Sequence, residues 1–200
     1  MNFLAHFHLA WPNTGLIVGA LEGEYYRGAL DPSLDTELAR GIALHRAIDA
    51  FTDRHPAVVE LRRQFPGPLR RFAGIVIDLG FDHCLSTHWP SVSQHTLSAF
   101  NEKILAILHA HEHALSARSL AMLGGLQQHQ LLMRYDEWDM VAASAERVGA
   151  RFTRGNPLQN IGHALTPLRP HFHDTFARFY PELQQFVASR EPALAAHNPS

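Results

Sequence analysis

The chain has 200 residues, enough for one domain with a single hydrophobic core, and its 46% hydrophobic and 18% charged residues are typical of a globular protein. Its net charge of −2 excludes the overall basic field of a nucleic-acid-binding protein. No segment has the roughly 18 uninterrupted apolar residues of a membrane span, and the start lacks the cationic region of a signal peptide. The single cysteine, Cys84, fits a reducing compartment. We therefore expect a cytoplasmic protein.

The first part of the chain predicts short helices. Residues 2–10 alternate apolar side chains with His6 and His8, which is compatible with a strand, although the lack of a partner strand nearby favours a short helix. Capping signals and apolar periodicity then predict helices over residues 15–27, 35–53 and 57–65.

The next segment, Arg71–His83, has apolar residues on every face of a helix, which predicts a buried helix. Asp78 and Asp82 nevertheless share one face of it, one turn apart, and His83 follows directly. Buried carboxylates are costly unless they are paired, hydrogen-bonded or bound to a cation. Each aspartate could meet an arginine or cap a neighbouring helix, but two carboxylates and a histidine together favour a metal or catalytic site.

The second half predicts helices over residues 95–113, 115–134, 137–151 and 174–188. The histidine-rich segment 109–113 lacks the spacing of the HExxH zinc motif, so we expect its side chains to be solvated. With no hairpin signal and no phosphate-binding glycine loop, the sequence predicts an all-α, single-domain helical bundle over residues 1–190 and a frayed tail over 191–200.

Imidazoles and carboxylates accumulate in the first half, on helices that could converge. They are His6, His8, Glu24, His45, Asp49, Asp53, Asp78, Asp82 and His83. A mixed set without a thiolate favours a catalytic Mn, Fe or Mg ion over a structural zinc. Such sites typically support hydrolysis, because the metal lowers the pKa of a bound water and neutralises phosphoryl charge.

Three sequence blocks, in the same order and at similar separations, resemble the acyl carrier protein phosphodiesterase family, also called acyl carrier protein hydrolase. They are MNFLAHFHLA at residues 1–10, GIALHRAIDAFTDRHP at 41–56 and RRFAGIVIDLGFDHCLSTHW at 70–89. The similarity is dense over the first 90 residues and thinner to about residue 187. The family is a divergent relative of the HD-type metal phosphohydrolases. The resemblance therefore implies an HD-domain-like helical protein that removes the phosphopantetheine arm from holo-acyl carrier protein. The implied metal is Mn²⁺, and Mg²⁺ and Fe²⁺ are the alternatives.

The resemblance also implies roles for individual residues. The metal ligands would be His6, Glu24, His45, Asp49, Asp78 and His83. Asp78 and Asp82, at the aspartates of the DxxFDH block, are the catalytic candidates. The residues themselves, apart from the resemblance, suggest that Arg46 or Arg27 neutralises the non-bridging phosphate oxygens. The HFH block leaves open whether His6 or His8 is the ligand. At Gly23-Glu24-Tyr25 the family usually has an aspartate, so Glu24 keeps the carboxylate on a longer arm.

The carrier protein is acidic and helical as a class, so a basic docking face is expected. The candidates are Arg27, Arg62, Arg63, Arg70 and Arg71, although paired arginines are also common on ordinary solvated surfaces. Two other functions fit the same residues: an HD-like phosphohydrolase acting on a nucleotide or another small phosphodiester, and a non-catalytic helical protein that binds a metal or a partner. The oligomeric state is left open.

Overall fold

Helices joined by short turns make up the part of the chain that the computed structural model describes, which is the backbone of residues 1–195 and the side chains through residue 190. The α-helices are α1 (Phe3–Ala10), α2 (Thr14–Gly23), α3 (Thr36–Arg54), α4 (Pro56–Gln64), α5 (Ala73–Thr87), α6 (Trp89–Val92), α7 (Leu97–Ala110), α8 (Ala117–Gln128), α9 (Asp139–Gly149), α10 (Gly162–Leu165) and α11 (Arg169–Ala195). Short 3₁₀ segments lie at Arg70–Phe72, Glu112–Ala114, Leu131–Arg134 and Thr166–Leu168. The described residues contain no strand, which confirms the all-α prediction.

Helix α5 is the central helix of the fold, as its apolar sequence predicts. Val76, Phe81 and Cys84 are completely buried in it. The ring of Phe81 stacks on Phe179 of α11 with centroids 5.2 Å apart. Helices α1, α4, α9 and α11 all pack against α5, so its polar residues are brought close to several other elements.

Helices α2 and α3 approach so closely that glycines are required between them. A Cβ atom on Gly19 would lie 2.5 Å from the Cα atom of Gly41, which no side chain tolerates. One turn further along α2, a Cβ atom on Gly23 would lie 2.7 Å from the Cβ atom of His45. The contact between the two backbones therefore places His45 directly beside the end of α2.

Helix α2 ends at Gly23, four residues before the predicted end at Arg27. The carbonyl of Glu22 accepts hydrogen bonds from the amides of Tyr25 and Tyr26, at 3.0 and 2.9 Å, and these bonds close a turn. Glu24 consequently lies in an exposed turn at the end of α2.

The Glu22 side chain joins the second half of the chain to this region. Its Oε2 atom accepts hydrogen bonds from the Ser116 amide at 2.9 Å and from the Ser119 hydroxyl at 2.6 Å, which fixes the start of α8. At the other end, α11 continues through residue 195, so it includes the first half of the predicted tail, and residues 196–200 lie outside the described residues. None of the described helices is long and apolar enough to cross a membrane.

Candidate metal centre

Three side chains from α1 and α3 form a compact cluster of potential metal ligands. His45 and Asp49 lie one turn apart on α3, and the His45 Nε2 atom is 3.2 Å from Asp49 Oδ2. From α1, the Nε2 atom of His6 lies 3.1 Å from Asp49 Oδ1, and its ring stacks on that of His45 with centroids 3.9 Å apart. One ligand atom from each residue lies within 4.8 Å of the others, and no other such group occurs among the described residues.

The tautomer of His45 makes this cluster suitable for a cation. Its Nδ1 atom is 2.9 Å from the carbonyl oxygen of Ala20, which only accepts hydrogen bonds, so Nδ1 carries the proton. In the neutral imidazole the Nε2 lone pair then faces Asp49 Oδ2 at 3.2 Å and Glu24 Oε2 at 3.8 Å. A lone pair against two carboxylates is repulsive unless a positive charge lies between them. Metal-binding histidines have this same arrangement, with the second nitrogen donating to a carbonyl.

Glu24 and Asp78 extend the cluster toward solvent. The side chain of Glu24 is 46% exposed, that of Asp49 44% and that of Asp78 41%, so the carboxylates form an open rim over the buried histidines. The Met1 ammonium group donates to Asp78 Oδ1 at 2.7 Å and to Asp49 Oδ1 at 3.4 Å. The structure thus brings together His6, Glu24, His45, Asp49 and Asp78, five of the six predicted ligands.

The charges of the cluster influence one another. Desolvation lowers the pKa of His6 to about 3, and repulsion from His45 contributes, so His6 is a neutral imidazole near pH 7. Although desolvation opposes it, the close contacts with the His45 and His6 rings and the attraction of the Met1 ammonium hold the pKa of Asp49 well below its ordinary value. Desolvation raises the pKa of Glu24, and the neighbouring carboxylates of Asp49 and Asp78 raise it further. A neutral His6 beside an ionised Asp49 fits the charge states that metal ligation requires.

His8 lies on the other side of α1. Its Nε2 atom donates to the carbonyl of Val92 at 3.2 Å, and its Nδ1 atom accepts from the hydroxyl of Tyr180 at 2.6 Å. Of the two histidines in the HFH block, the structure places only His6 in the cluster.

Asp82 caps a helix instead of joining the cluster. Its Oδ2 atom accepts from the Leu4 amide at 2.8 Å, its Oδ1 atom accepts from the Ala5 amide at 3.2 Å, and the residue is fully buried. These are amides of the first turn of α1, whose own N-cap residue, Asn2, forms no side-chain cap. Both Asp82 oxygens therefore bind backbone amides away from solvent, and the catalytic role expected for Asp82 stays a prediction.

His83 also points away from the cluster. Its Nδ1 atom donates to the carbonyl of Tyr135 at 2.9 Å, and its ring lies 5.0 Å from Trp138 and 5.5 Å from His173, between centroids. Since Asp78 and His83 are five residues apart on α5, they face different neighbours. The expected role of His83 as a ligand of the same metal has no support in this geometry.

The two arginines expected at the phosphate hold a turn instead. Arg46 donates to the carbonyl of Tyr26 at 3.1 Å and lies over the Tyr26 ring, 5.6 Å from its centroid. Arg27 donates to the same carbonyl at 3.4 Å. Both hydrogen bonds therefore stabilise the turn that follows Glu24.

The predicted docking arginines lie beside α5 and the end of α3. Arg62 pairs with Asp53 at 2.7 Å and reaches the first turn of α5 at Gly74. Arg63 pairs with Glu60, Arg70 lies against the backbone of Arg63, and Arg71 lies over the Phe72 ring. His55, one residue beyond α3, pairs with Glu182 of α11 and caps α4, so it belongs to the packing of those helices.

The sequence analysis missed the Met1 amino group. Its pKa is raised to about 10, because the attraction of Asp78 and Asp49 outweighs its desolvation, and the group is therefore a cation inside the carboxylate rim. The signal was available, since Met1 lies only two residues before α1, the short helix that carries His6.

Comparison with known proteins gives a consistent family. A family model described as acyl carrier protein phosphodiesterase matches residues 1–183. The chain is similar to a protein of that name from Photorhabdus laumondii, with 28% identity over 96% of this chain and 97% of the relative. It is also similar to proteins of that name from Escherichia coli O45:K1, with 31% identity over 96% of this chain and 99% of the relative, and from Escherichia coli O139:H28, with 31% identity over 92% and 95%. No solved structure matches the chain.

Proposed function

The chain belongs to the acyl carrier protein phosphodiesterase family, and from this membership we propose that it hydrolyses the phosphodiester linking the phosphopantetheine arm to a serine of acyl carrier protein. Water adds to phosphorus and the bond from phosphorus to the serine oxygen breaks, which gives apo-acyl carrier protein and free phosphopantetheine. The observation that carries the proposal is the open cluster of His6, His45 and Asp49 beneath a rim of carboxylates.

A divalent cation is part of the proposal. His6, His45 and Asp49 would hold it, with Glu24 and Asp78 beside them, and this oxygen and imidazole set accommodates Mn²⁺, which the family resemblance favours, as well as Mg²⁺ or Fe²⁺. When bound, such an ion activates water and neutralises phosphoryl charge. The lone pair of His45 facing two carboxylates is the structural reason to expect a cation there.

The residues of the chain supply positioning and proton transfer. Asp78 is the carboxylate best placed to accept a proton from the attacking water, because it lies at the open side of the cluster and its pKa is raised, first by desolvation. Arg46 acts indirectly, by holding the turn that carries Glu24. Among the arginines proposed to contact the carrier protein, Arg62 pairs with Asp53 and reaches the start of α5 at Gly74.

The test is mass spectrometry of holo-acyl carrier protein incubated with the purified protein and Mn²⁺, with and without a chelator. We expect loss of the phosphopantetheine mass only when the metal is present, and loss of the reaction in Asp49→Asn. An unchanged carrier mass with well-folded protein would contradict the proposal. In that case, hydrolysis of bis(p-nitrophenyl) phosphate would identify a phosphohydrolase of small diesters. If the protein does not hydrolyse that compound either, the result would identify a non-catalytic binding protein.

We also propose that the protein works in the cytoplasm. Cys84 is a free thiol buried in α5, which fits a reducing compartment. Immunoblotting of fractionated cells would test this, and recovery of the protein outside the cytoplasmic fraction would contradict it.

A further inference from the structure

The loop between α9 and α10 presents an exposed aromatic side chain beside the start of α5. Phe152 is 46% exposed, and Leu120, at 38%, is the only other exposed large hydrophobic residue among those described. Isolated apolar side chains on a surface are ordinary. Phe152 differs because its ring packs on Phe72 and because Arg151 and Arg154 flank it in the chain.

Two contacts connect Phe152 with the start of α5. Its ring meets Phe72 edge to face, with centroids 5.8 Å apart, and the Arg71 guanidinium lies over the same Phe72 ring at 4.8 Å. Phe72 directly precedes α5, two turns before Asp78. The aromatic pair thus lies along the helix that carries one of the carboxylates of the cluster.

On its other side, the loop reaches the turn after α2. Arg151 is close enough to Tyr25 to lower its pKa, although desolvation, the largest effect, raises that pKa. Tyr25 directly follows Glu24, the carboxylate at the opposite edge of the cluster. Arg151, Phe152 and Arg154 are all exposed, so the loop presents one hydrophobic ring and two cations to solvent.

The loop is held in one conformation. Asn156 donates from its side-chain amide to the carbonyl of Gly149 at 2.8 Å and accepts from the Leu158 amide at 3.1 Å. The amide of Phe152 donates to the same Gly149 carbonyl at 3.1 Å. Such a loop loses little conformational entropy on binding, which favours its use as a contact surface.

We propose that this loop is a docking element for acyl carrier protein, with Phe152 as the hydrophobic anchor and Arg151 and Arg154 pairing with acidic side chains of the carrier. The inference rests on the proposed function. Its basis is charge complementarity, since an acidic partner fits a phenylalanine flanked by arginines, and aromatic and arginine side chains carry much of the binding energy at protein interfaces. Docking there places the carrier next to Glu24 and Asp78.

The experiment measures binding separately from chemistry. Metal-depleted protein is titrated with apo-acyl carrier protein, which cannot turn over, and the dissociation constant is determined by calorimetry. The variants are Phe152→Ser, Phe152→Leu and Arg151→Glu, and the matched charge control is Arg178→Glu, an exposed arginine of α11 that hydrogen-bonds the carbonyl of Asp174.

We expect Phe152→Ser and Arg151→Glu to weaken binding at least about tenfold, Phe152→Leu to weaken it less, and Arg178→Glu to change it by less than about twofold. The far-UV circular dichroism spectrum of Phe152→Ser should match that of the wild type, which shows that the variant is folded. Unchanged carrier affinity in Phe152→Ser and Arg151→Glu, with a wild type that hydrolyses holo-carrier, would overturn the docking proposal alone. A wild type that neither binds nor hydrolyses the carrier would overturn the proposed function and the docking proposal with it.

Discussion

His45 and Asp49 face each other across one turn of α3, 3.2 Å apart, while the other nitrogen of His45 donates to the Ala20 carbonyl of α2. That hydrogen bond fixes both the orientation and the tautomer of the imidazole. The close packing of two helices therefore determines which nitrogen is presented to the carboxylates.

The two histidines of α1 provide a matched pair of variants. Loss of an outer-sphere partner typically weakens metal binding about 10- to 100-fold. We expect His6→Gln to weaken Mn²⁺ binding by more than that, because the substitution removes a direct ligand. His8→Gln should bind Mn²⁺ like the wild type, since glutamine can still bond to Tyr180 and Val92. Calorimetric titration with Mn²⁺ measures both. Equal losses in the two variants would contradict the assignment of His6.

Metal removal should lower stability in a way that depends on the same cluster. A free metal concentration 100 times the dissociation constant stabilises the folded protein by about 2.7 kcal/mol. We expect adding Mn²⁺ to raise the melting temperature of the wild type and a chelator to reverse it, with no shift in His45→Gln. An equal shift in that variant would place the ion elsewhere.

Glu24 tests whether the longer carboxylate arm is compatible with activity. Its Oε2 atom is 3.8 Å from His45 Nε2, and the turn that carries it is exposed. We expect Glu24→Gln to reduce carrier hydrolysis about tenfold or more because a charged oxygen ligand is lost, and Glu24→Asp to retain activity within a few-fold. Initial rates measured by mass spectrometry decide this. Full activity in Glu24→Gln would remove Glu24 from the site.

The contact between Gly23 and His45 predicts a sensitive position. In Gly23→Ala the new Cβ atom would lie 2.7 Å from the His45 side chain, so His45 must move or the helices must separate. We expect a loss of about 1–3 kcal/mol in the free energy of unfolding together with weaker Mn²⁺ binding. Gly67→Ala, with no atom within 4 Å of the new Cβ, is the control and should change stability by less than about 0.5 kcal/mol. Urea unfolding measures both, and similar values in the two variants would contradict the prediction.

Asp82 predicts a pH dependence of stability. Burial raises its pKa from 3.8 to about 7, although two backbone amides oppose this, so between these values the folded state binds more protons at Asp82 than the unfolded state does. The contribution of Asp82 to stability is therefore fully present below pH 3.8 and is lost as the pH rises through 7. The stability of the wild type relative to Asp82→Asn should fall between pH 5 and pH 7 by at most about 1.4 kcal/mol per pH unit. Urea unfolding at pH 5, 6, 7 and 8 tests this, and a difference that grows with pH would contradict it.

Much of the fold and most of the cluster could be predicted from the sequence. Helical spacing places His45 and Asp49 on one face, and the apolar sequence of α5 predicts its burial. The roles of Asp78 and Asp82 could not be separated in the same way, because both lie on one face of α5 and spacing does not say which element covers each turn. The structure shows that the Met1 ammonium covers Asp78 and that the first turn of α1 covers Asp82. Capping of a neighbouring helix, which Asp82 performs, is one of the alternatives that the sequence leaves open for these aspartates.

The arginines could not be assigned from sequence for a different reason. A guanidinium on a long side chain reaches many acceptors, and Arg46 binds the Tyr26 carbonyl only because α2 ends earlier than its pattern predicts. The likeness to HD-type proteins stays a prediction, since no solved structure matches.

Asp82, four residues after Asp78 on α5, binds the backbone of α1 through the amides of Leu4 and Ala5. These two amides directly precede His6 in the chain. His6 and Asp78 are therefore held in a fixed relative position by the packing of α1 on α5. The scissile bond joins the arm to a serine of the carrier, so the carrier backbone must come within a side-chain length of this fixed surface. Selection among carriers then depends on how far the segment that bears the serine projects, and a serine in a recessed position would stay out of reach whatever the affinity of docking.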